Sequence, residues 1–253
     1  MTEKAAQRQY DEKFMDYASI SSHYAASEII PLLLRVLPIA SVADIGCAGG
    51  GWLSVWRASG VSDIRGVDGD YVDQDGLEIP RELFTPADLS RPLDLSRRFD
   101  LVQSLEVAEH IQVQFADQFV QNLVIHADKY LLFSAAVPGQ GGEYHVNEQP
   151  LDFWRERLTR HGFDAYDFVR PQVVSDHRIS FWYRYNIVLY VRREHQATLD
   201  PAIRATRVPE GVAIADVSPS WFRLRKRVVR VLPPAIRDSL ARLKAHVAPT
   251  GRF

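Results

Sequence analysis

The chain has 253 residues, 46% hydrophobic and 25% charged, enough for one α/β core with an appendage or two small domains, and too ordinary for wholesale disorder. A formal net charge of -2 argues against a protein that is basic throughout and built to bind nucleic acid, although a local basic patch is compatible with that total. The single cysteine, Cys47, excludes an internal disulfide and points to a reducing compartment.

In chain order, the opening MTEKAAQRQYDEKF is polar, so no secretory signal is expected, and no apolar run reaches the roughly 18–20 residues of a spanning helix. A cytoplasmic protein is the expectation. SSHYAASEIIPLLLRVL has helical spacing of apolar residues, and VADIG is a short strand closing on a glycine turn. GGGWLSVWRASG predicts a helix with Leu53 and Trp56 inward; Ile64 to Val67 is a second strand. Residues 71–92 are polar and proline-bearing and read as connection. Phe99 to Leu105 is a strand, FADQFVQNLVIHA an amphipathic helix, and KYLLFSAAVPG a buried strand with a Pro-Gly turn. PLDFWRERLTRHG is a helix stopped by Gly162, FDAYDFV a strand, and YNIVLYVRR the last strand. Alternation of this kind predicts βαβ units in a mainly parallel sheet covered on both faces, with the two late strands as an antiparallel edge pair.

After Arg193 the periodicity stops, and residues 196–253 read as a linker and a basic amphipathic tail. Ile236, Leu240, Leu243 and Val247 repeat at helical spacing among arginines, and Pro233 and Pro234 divide the tail into two short helices. Such a tail suits an anionic membrane surface, with Trp221 and Phe222 at the interface, or packing on its own domain or a partner, or a solvated arm. Residues 1–28 are expected as an N-terminal lid segment and 29–195 as the main domain.

In VADIGCAGGGW a strand ends and a helix opens, and Gly46, Ala48, Gly49 and Gly50 let the backbone approach a ligand. Asp44 just before the turn repels phosphate and suits a cationic group. The second strand also ends in acid, with Asp68 placed for ribose hydroxyls, and Asp88 follows where an adenine amino group would lie. A nucleotide turn of another type, or a plain tight turn, is the alternative. At these residues the sequence resembles the class I S-adenosylmethionine-dependent methyltransferases, over about Ile29 to Arg193. The resemblance implies a Rossmann-like, seven-stranded, mostly parallel sheet with a reversed last strand. It also implies that Asp44, Gly46, Cys47, Ala48 and Gly49 cradle the amino-acid end of S-adenosylmethionine. Asp68 and Gly69 would take the ribose, Asp88 and Leu89 the adenine, and Ser104 and Leu105 the methionine side. Cys47-Ala48 departs from the commoner glycine-rich pattern, but both residues are small. Trp52 and Trp56 are read as helix packing in preference to pocket walls.

SLEVAEH follows a buried strand and sets Glu106, Glu109 and His110 within five positions. If a helix begins near Glu106, all three share one face. Crowded carboxylates repel unless a cation lies between them, and two carboxylates with an imidazole suit a divalent ion. Glu-x-x-Glu-His resembles the metal site of small-RNA 2′-O-methyltransferases and a motif of ubiquinone-pathway O-methyltransferases. The RNA enzymes add a histidine from beyond the next strand, and here PGQGGEYHVNEQP offers His145, with Asn147 and Glu148 as supporting partners. Glu106, Glu109, His110 and His145 are thus the expected ligands of Mg2+, Mn2+ or Zn2+, and Glu109, His110 and His145 the expected catalytic residues. The alternative is metal-free: His110 caps a helix or positions substrate, and His145 is a loop residue or a general base.

EYHVNEQP with FWRERLTRHGF resembles bacterial methyltransferases of surface-polysaccharide and glycoside assembly, which implies a sugar hydroxyl as acceptor. Phe181, Trp182, Tyr183 and Tyr185 offer candidate faces for a sugar; Trp154 is read as packing, and His177 and Arg178 as a loop on the substrate side. The rivals are an RNA ribose 2′-O-methyltransferase, with the tail holding phosphates, a quinone or phenol methyltransferase, and a non-catalytic cofactor-binding interaction protein. The oligomeric state is left open, and a peripheral contact with the inner membrane surface is kept.

Overall fold

A computed structural model describes residues 12–142 and 144–231. The chain runs α1 (Glu12–Leu34), β1 (Ser41–Ile45), α2 (Gly51–Ala58), β2 (Asp63–Asp68), β3 (Phe84–Pro86) and β4 (Phe99–Leu105). Then follow α3 (Ala116–His126), β5 (Ala127–Ser134), α4 (Leu151–Arg160), β6 (Phe163–Tyr166), α5 (Arg170–Val173) and α6 (Phe181–Asn186). The chain continues through β7 (Val188–Arg192), α7 (Pro201–Arg204) and α8 (Ser220–Val231).

The strands form one seven-stranded sheet in the order β3-β2-β1-β4-β5-β7-β6. Every pairing is parallel except those of β7, which runs antiparallel to both β5 and β6. This is the Rossmann-like methyltransferase sheet with its reversed last strand. Side chains alternate between the faces: Leu101, Leu132 and Leu189 enter one core, and Val102, Phe133 and Val188 enter the other. α1 and α2 cover the first face, α3 and α4 the second. All five residues of β1 are buried, as a central strand between helix layers requires.

Three segments differ from the sequence expectation. Residues 12–28 form the leading part of α1, and Ala25 and Ala26 are fully buried with Ile29, Ile30 and Leu33. The lid segment expected over residues 1–28 thus has its described part in α1; residues 1–11 lie outside the described residues. FWYRYN, which carries no clear helical pattern, folds as the short helix α6 because Tyr183 and Tyr185 are drawn into the core. The expected linker after residue 195 packs along β6: Leu199, Ile203 and Ile214 are buried, and Arg207 bridges Tyr166. The clamp is polar. Asp164 accepts from Arg193, Gln196 and Arg207, and Arg155 donates to the carbonyls of Val208 and Pro209. The helices expected around Ile236, Leu240, Leu243 and Val247 lie outside the described residues. Among the described residues, no helix is long and apolar enough to cross a membrane.

Candidate functional site

The chain works outward from β1 to β3, then returns to β4 on the other side of β1. Such a reversal opens a crevice beyond the carboxyl ends of the strands, where ligands of open α/β sheets bind. The glycine turn leaves β1 there, and SLEVAEH leaves β4. The two segments touch. Gly46 has φ +94°, and a Cβ on it would stand 2.3 Å from Val107 Cγ2. Gly46→Ala is expected to cost about 2 kcal/mol or more, as left-handed strain and overpacking add. Thermal unfolding reads this directly, and an unchanged Tm would show that the turn yields freely.

The turn is fastened to β2. Gly46 N and Cys47 N both donate to Val67 O, at 2.7 and 3.1 Å, and Ala48 N donates to Asp68 Oδ2 at 2.7 Å. The other Asp68 oxygen, Oδ1, accepts from Gly69 N at 2.7 Å and from the Tyr71 hydroxyl at 2.6 Å. Tyr71 thus lies over Gly69, where a Cβ would meet its ring at 2.0 Å. Gly49 has only one heavy atom within 4 Å of such a Cβ, Gly76 O at 3.9 Å, so it borders open space. Burial, then the charges of Asp44 and Asp68, push the Cys47 thiol well up, so it serves as a small packing residue.

Asp44 is 3% exposed, and its Oδ2 accepts from Gln103 Nε2 at 2.8 Å. Gln103 Oε1 in turn accepts from Trp56 Nε1 at 2.8 Å. Burial raises the Asp44 pKa to about 7, against the Gln103 bond and with the help of Asp68. Leu89 and Leu105 are buried beside the crevice strands. The Asp88 carboxylate is exposed and engaged locally by Ser90 and Arg91. Trp56 is fully buried and Trp52 nearly so, as packing residues are.

At the end of β4 the chain does not start a helix. Glu106 takes φ +57°, in the left-handed region, and Ala108–His110 forms a 3-10 turn. This turn brings Glu109 and His110 together and sends Glu106 aside. Glu109, His110 and His145 present ligand atoms that all lie within 4.8 Å of one another. The Glu106 carboxylate is instead held by Gln140 Nε2 at 2.9 Å and Asn186 Nδ2 at 3.4 Å. The shared helical face expected for Glu106 and Glu109 is thus replaced by a sharper bend, and Glu106 stands next to the cluster rather than in it.

Glu109 is 1% exposed, and its Oε2 makes no hydrogen bond. Its carbonyl accepts from Val146 N at 2.9 Å and Asn147 N at 3.0 Å, which pins the loop carrying His145 against the turn. His145 Nδ1 meets Glu148 Oε1 at 3.0 Å, while its Nε2 lies 3.9 Å from Glu109 Oε1. Glu148 also accepts from the amides of Gly139 and Gly141. Burial alone would raise the Glu148 carboxyl, but His145 and these amides outweigh it and hold it low. Burial, then Glu106, drives Glu109 well up. His110 keeps an exposed edge, yet the protein packed around it, followed by His145, lowers its pKa to about 4. A neutral His110 keeps a lone pair, and its Nδ1 meets Tyr144 O at 3.3 Å.

A buried carboxyl group with one oxygen, Oε2, unbonded, clustered with two imidazoles, offers the donor types that a divalent cation takes. The donors fit a divalent ion, and two nitrogens favour zinc or manganese over magnesium. The turn fits the amino-acid end of a nucleoside cofactor by the same test: no side chain fills its concavity at Gly49, and a buried acid lies beneath.

Sequence reasoning missed Gln103, Gln140, Asn186 and Tyr71. Gln103 had a signal, as the one amide in an otherwise apolar strand interior. The other three become visible only through contacts across the fold. Trp154, Tyr183 and Tyr185 are buried, and Phe181 stacks on Phe222, so these aromatics pack rather than present open faces. Arg178 pairs with Asp176, and His177 meets Arg184.

Residues 17–134 match the sequence model of a methyltransferase domain. No curated protein matches the chain in sequence. Among solved structures, it resembles a magnesium protoporphyrin IX methyltransferase from Synechocystis PCC 6803 with bound S-adenosylmethionine: TM-score 0.51, 20% identity, 73% of this chain and 85% of that one covered. It also resembles a sugar N-methyltransferase from Streptoalloteichus sp ATCC 53650: TM-score 0.51, 14% identity, 76% of this chain and 93% of that one covered.

Proposed function

We propose that this chain, which carries a class I S-adenosylmethionine-dependent methyltransferase domain, methylates a sugar hydroxyl with the aid of a divalent cation held by Glu109, His110 and His145. The observation that carries the metal reading is the buried Glu109 carboxyl group, one oxygen of it unbonded, clustered with the His110 and His145 imidazoles. S-adenosylmethionine supplies an electrophilic methyl group, and a divalent cation supplies Lewis acidity to an acceptor hydroxyl. Asp68 binds the ribose hydroxyls and Asp44 the cofactor's ammonium group. Glu148 orients His145 through Nδ1 and leaves Nε2 directed at the cluster. Gln140 and Asn186 keep the Glu106 carboxylate fixed one step behind the cluster, where its charge adds to the site's attraction for a cation.

The sugar acceptor rests on the resemblance carried by EYHVNEQP. The sugar N-methyltransferase shares the fold and is consistent with this reading. Transfer of labelled methyl to glycosides, RNA ribose and catechols, each with manganese, zinc or chelator, tests it. Metal-dependent labelling of glycosides is expected; labelling of RNA or catechol alone would replace the acceptor. A second reading follows from the His145–Glu148 pair, which has the geometry of a metal-free general base. Chelator-resistant turnover would favour it.

Cofactor binding is expected to depend on pH through Asp44. The ammonium group needs the ionised carboxylate, whose pKa stands at about 7. Affinity should therefore rise about tenfold from pH 6 to pH 8, and Asp44→Asn should bind weakly without that slope. Calorimetry with S-adenosylhomocysteine, whose ammonium stays protonated over this range, checks it; a flat wild-type profile would exclude Asp44 as the partner.

A further inference from the structure

α8 has two apolar sides. Its inner side is committed: Phe222 is 4% exposed and packs on Phe181 and Tyr185, with ring centroids 5.0 and 5.5 Å away. Lys226 Nζ donates to Asp216 at 2.7 Å, and Arg225 Nη1 donates to the Gln140 carbonyl at 3.0 Å. Gly139 lies so close that a Cβ there would meet Lys226 O at 2.1 Å. The helix is therefore fastened to the loop that also carries His145.

Its outer side is more open, although Arg223 Nη1 donates to Asp216 O at 3.3 Å. Trp221, Leu224 and Val228 are 66%, 62% and 52% exposed. Their spacing of three and four puts them in one stripe along the helix. Arg223, Arg227 and Arg230 are exposed alongside, and the helix SWFRLRKRVVRV contains no acid. An apolar stripe with a tryptophan, bordered on its flank by arginines alone, matches the two layers of an anionic membrane surface: acyl-chain boundary and phosphate headgroups. A protein partner that covered this stripe would need acids to meet the arginines, whereas an anionic bilayer offers both features over any area.

We infer that the outer face of α8 docks the protein onto an anionic lipid surface, with Trp221, Leu224 and Val228 entering the headgroup boundary and Arg223, Arg227 and Arg230 meeting the phosphates. The inference does not depend on which acceptor is methylated or on a metal. Because α8 holds the Gly139–Gly141 loop, docking places the methyl-transfer site next to the lipid surface, within reach of an acceptor carried on a lipid.

Flotation of the full chain with phosphatidylcholine vesicles, with and without phosphatidylglycerol, tests it, together with quenching of tryptophan emission by brominated lipid. Binding to the anionic vesicles alone is expected, weakened by salt. Arg227→Ala should lower partitioning about fivefold, the equivalent of one basic contact, and Leu224→Glu should abolish it. Both should retain wild-type S-adenosylmethionine binding, which shows them folded, and Val113→Glu, exposed elsewhere, should partition normally. Three outcomes overturn the inference: no vesicle binding, equal binding by Leu224→Glu, or self-association in the absence of lipid that Leu224→Glu abolishes. The second would assign binding to another segment, and the third would make the stripe a contact between copies of this chain.

Discussion

Asp68→Ala is expected to weaken S-adenosylmethionine binding at least a hundredfold, to the limit of calorimetric detection. The carboxylate at the end of β2 is already a two-sided acceptor: Oδ2 takes Ala48 N, and Oδ1 takes Gly69 N and the Tyr71 hydroxyl. The Tyr71 bond is the one a ribose hydroxyl would exchange for, since both are hydroxyl donors to the same oxygen. Charge-assisted bonds of this kind contribute roughly 1.5–3 kcal/mol each, so one at Oδ1 in place of Tyr71 and a second from the other ribose hydroxyl to Oδ2, which has a single partner, together carry about a hundredfold or more. The variant also strips Ala48 N of its acceptor, at about 1–3 kcal/mol of fold stability. Thermal unfolding separates the two losses, and Asp68→Asn, which keeps an acceptor oxygen, should recover stability more than affinity. Tight cofactor binding by a folded Asp68→Ala protein would sink the assignment of the crevice.

The second large effect has an unusual sign. Glu109→Gln is expected to stabilise the metal-free protein, by about 1–3 kcal/mol, and to abolish its stabilisation by manganese or zinc. A carboxylate 1% exposed, with one oxygen unbonded and Glu106 nearby, is held at a cost that a neutral amide of equal size largely avoids. A metal at a hundred times its Kd would add about 2.7 kcal/mol to the wild type and nothing to the variant. Turnover should fall by about a thousandfold, while S-adenosylmethionine still binds. A residue that merely braces the fold would do the reverse in the metal-free state, lowering Tm when altered. That result, with metal stabilisation intact, would leave the His145–Glu148 pair as the chemical centre.

Much of the sheet is legible in the sequence because its strands are buried on both faces. Val42 to Ile45, Leu101 to Leu105 and Tyr130 to Phe133 are largely apolar runs, the first two ending at Gly46 and Glu106, and the reversed β7 follows from a strand pair with no long helix between them. β3 was not legible: it has three residues, of which only Phe84 is buried. The start of α1 was not legible either, since its early turns mix Phe14, Met15 and Tyr17 with charged residues after a polar opening. In the candidate site, the residue types were readable, because acids and imidazoles at strand ends are costly without a use. Their geometry was not. A helix beginning at Glu106 was the simplest way to gather its neighbours, but the chain bends through a left-handed residue instead, and local spacing carries no mark of that bend. Nor does it show that Glu106 would be met by Asn186, 80 residues later.

The loop bearing His145 is attached to the main chain of Glu109, through its carbonyl, and not to the carboxylate. Scaffold and chemistry are thereby separable at a single residue. The side chain at 109 can be exchanged while these main-chain bonds hold the frame in register, whereas His110 and His145 also brace it through Tyr144 O and Glu148. If the cluster activates the acceptor as proposed, a lineage built on this frame can alter that chemistry at residue 109 in single mutational steps that do not pass through an unfolded intermediate. Libraries randomised at position 109 should accordingly be rich in folded, cofactor-binding variants, and so make a practical starting stock for new acceptor chemistry.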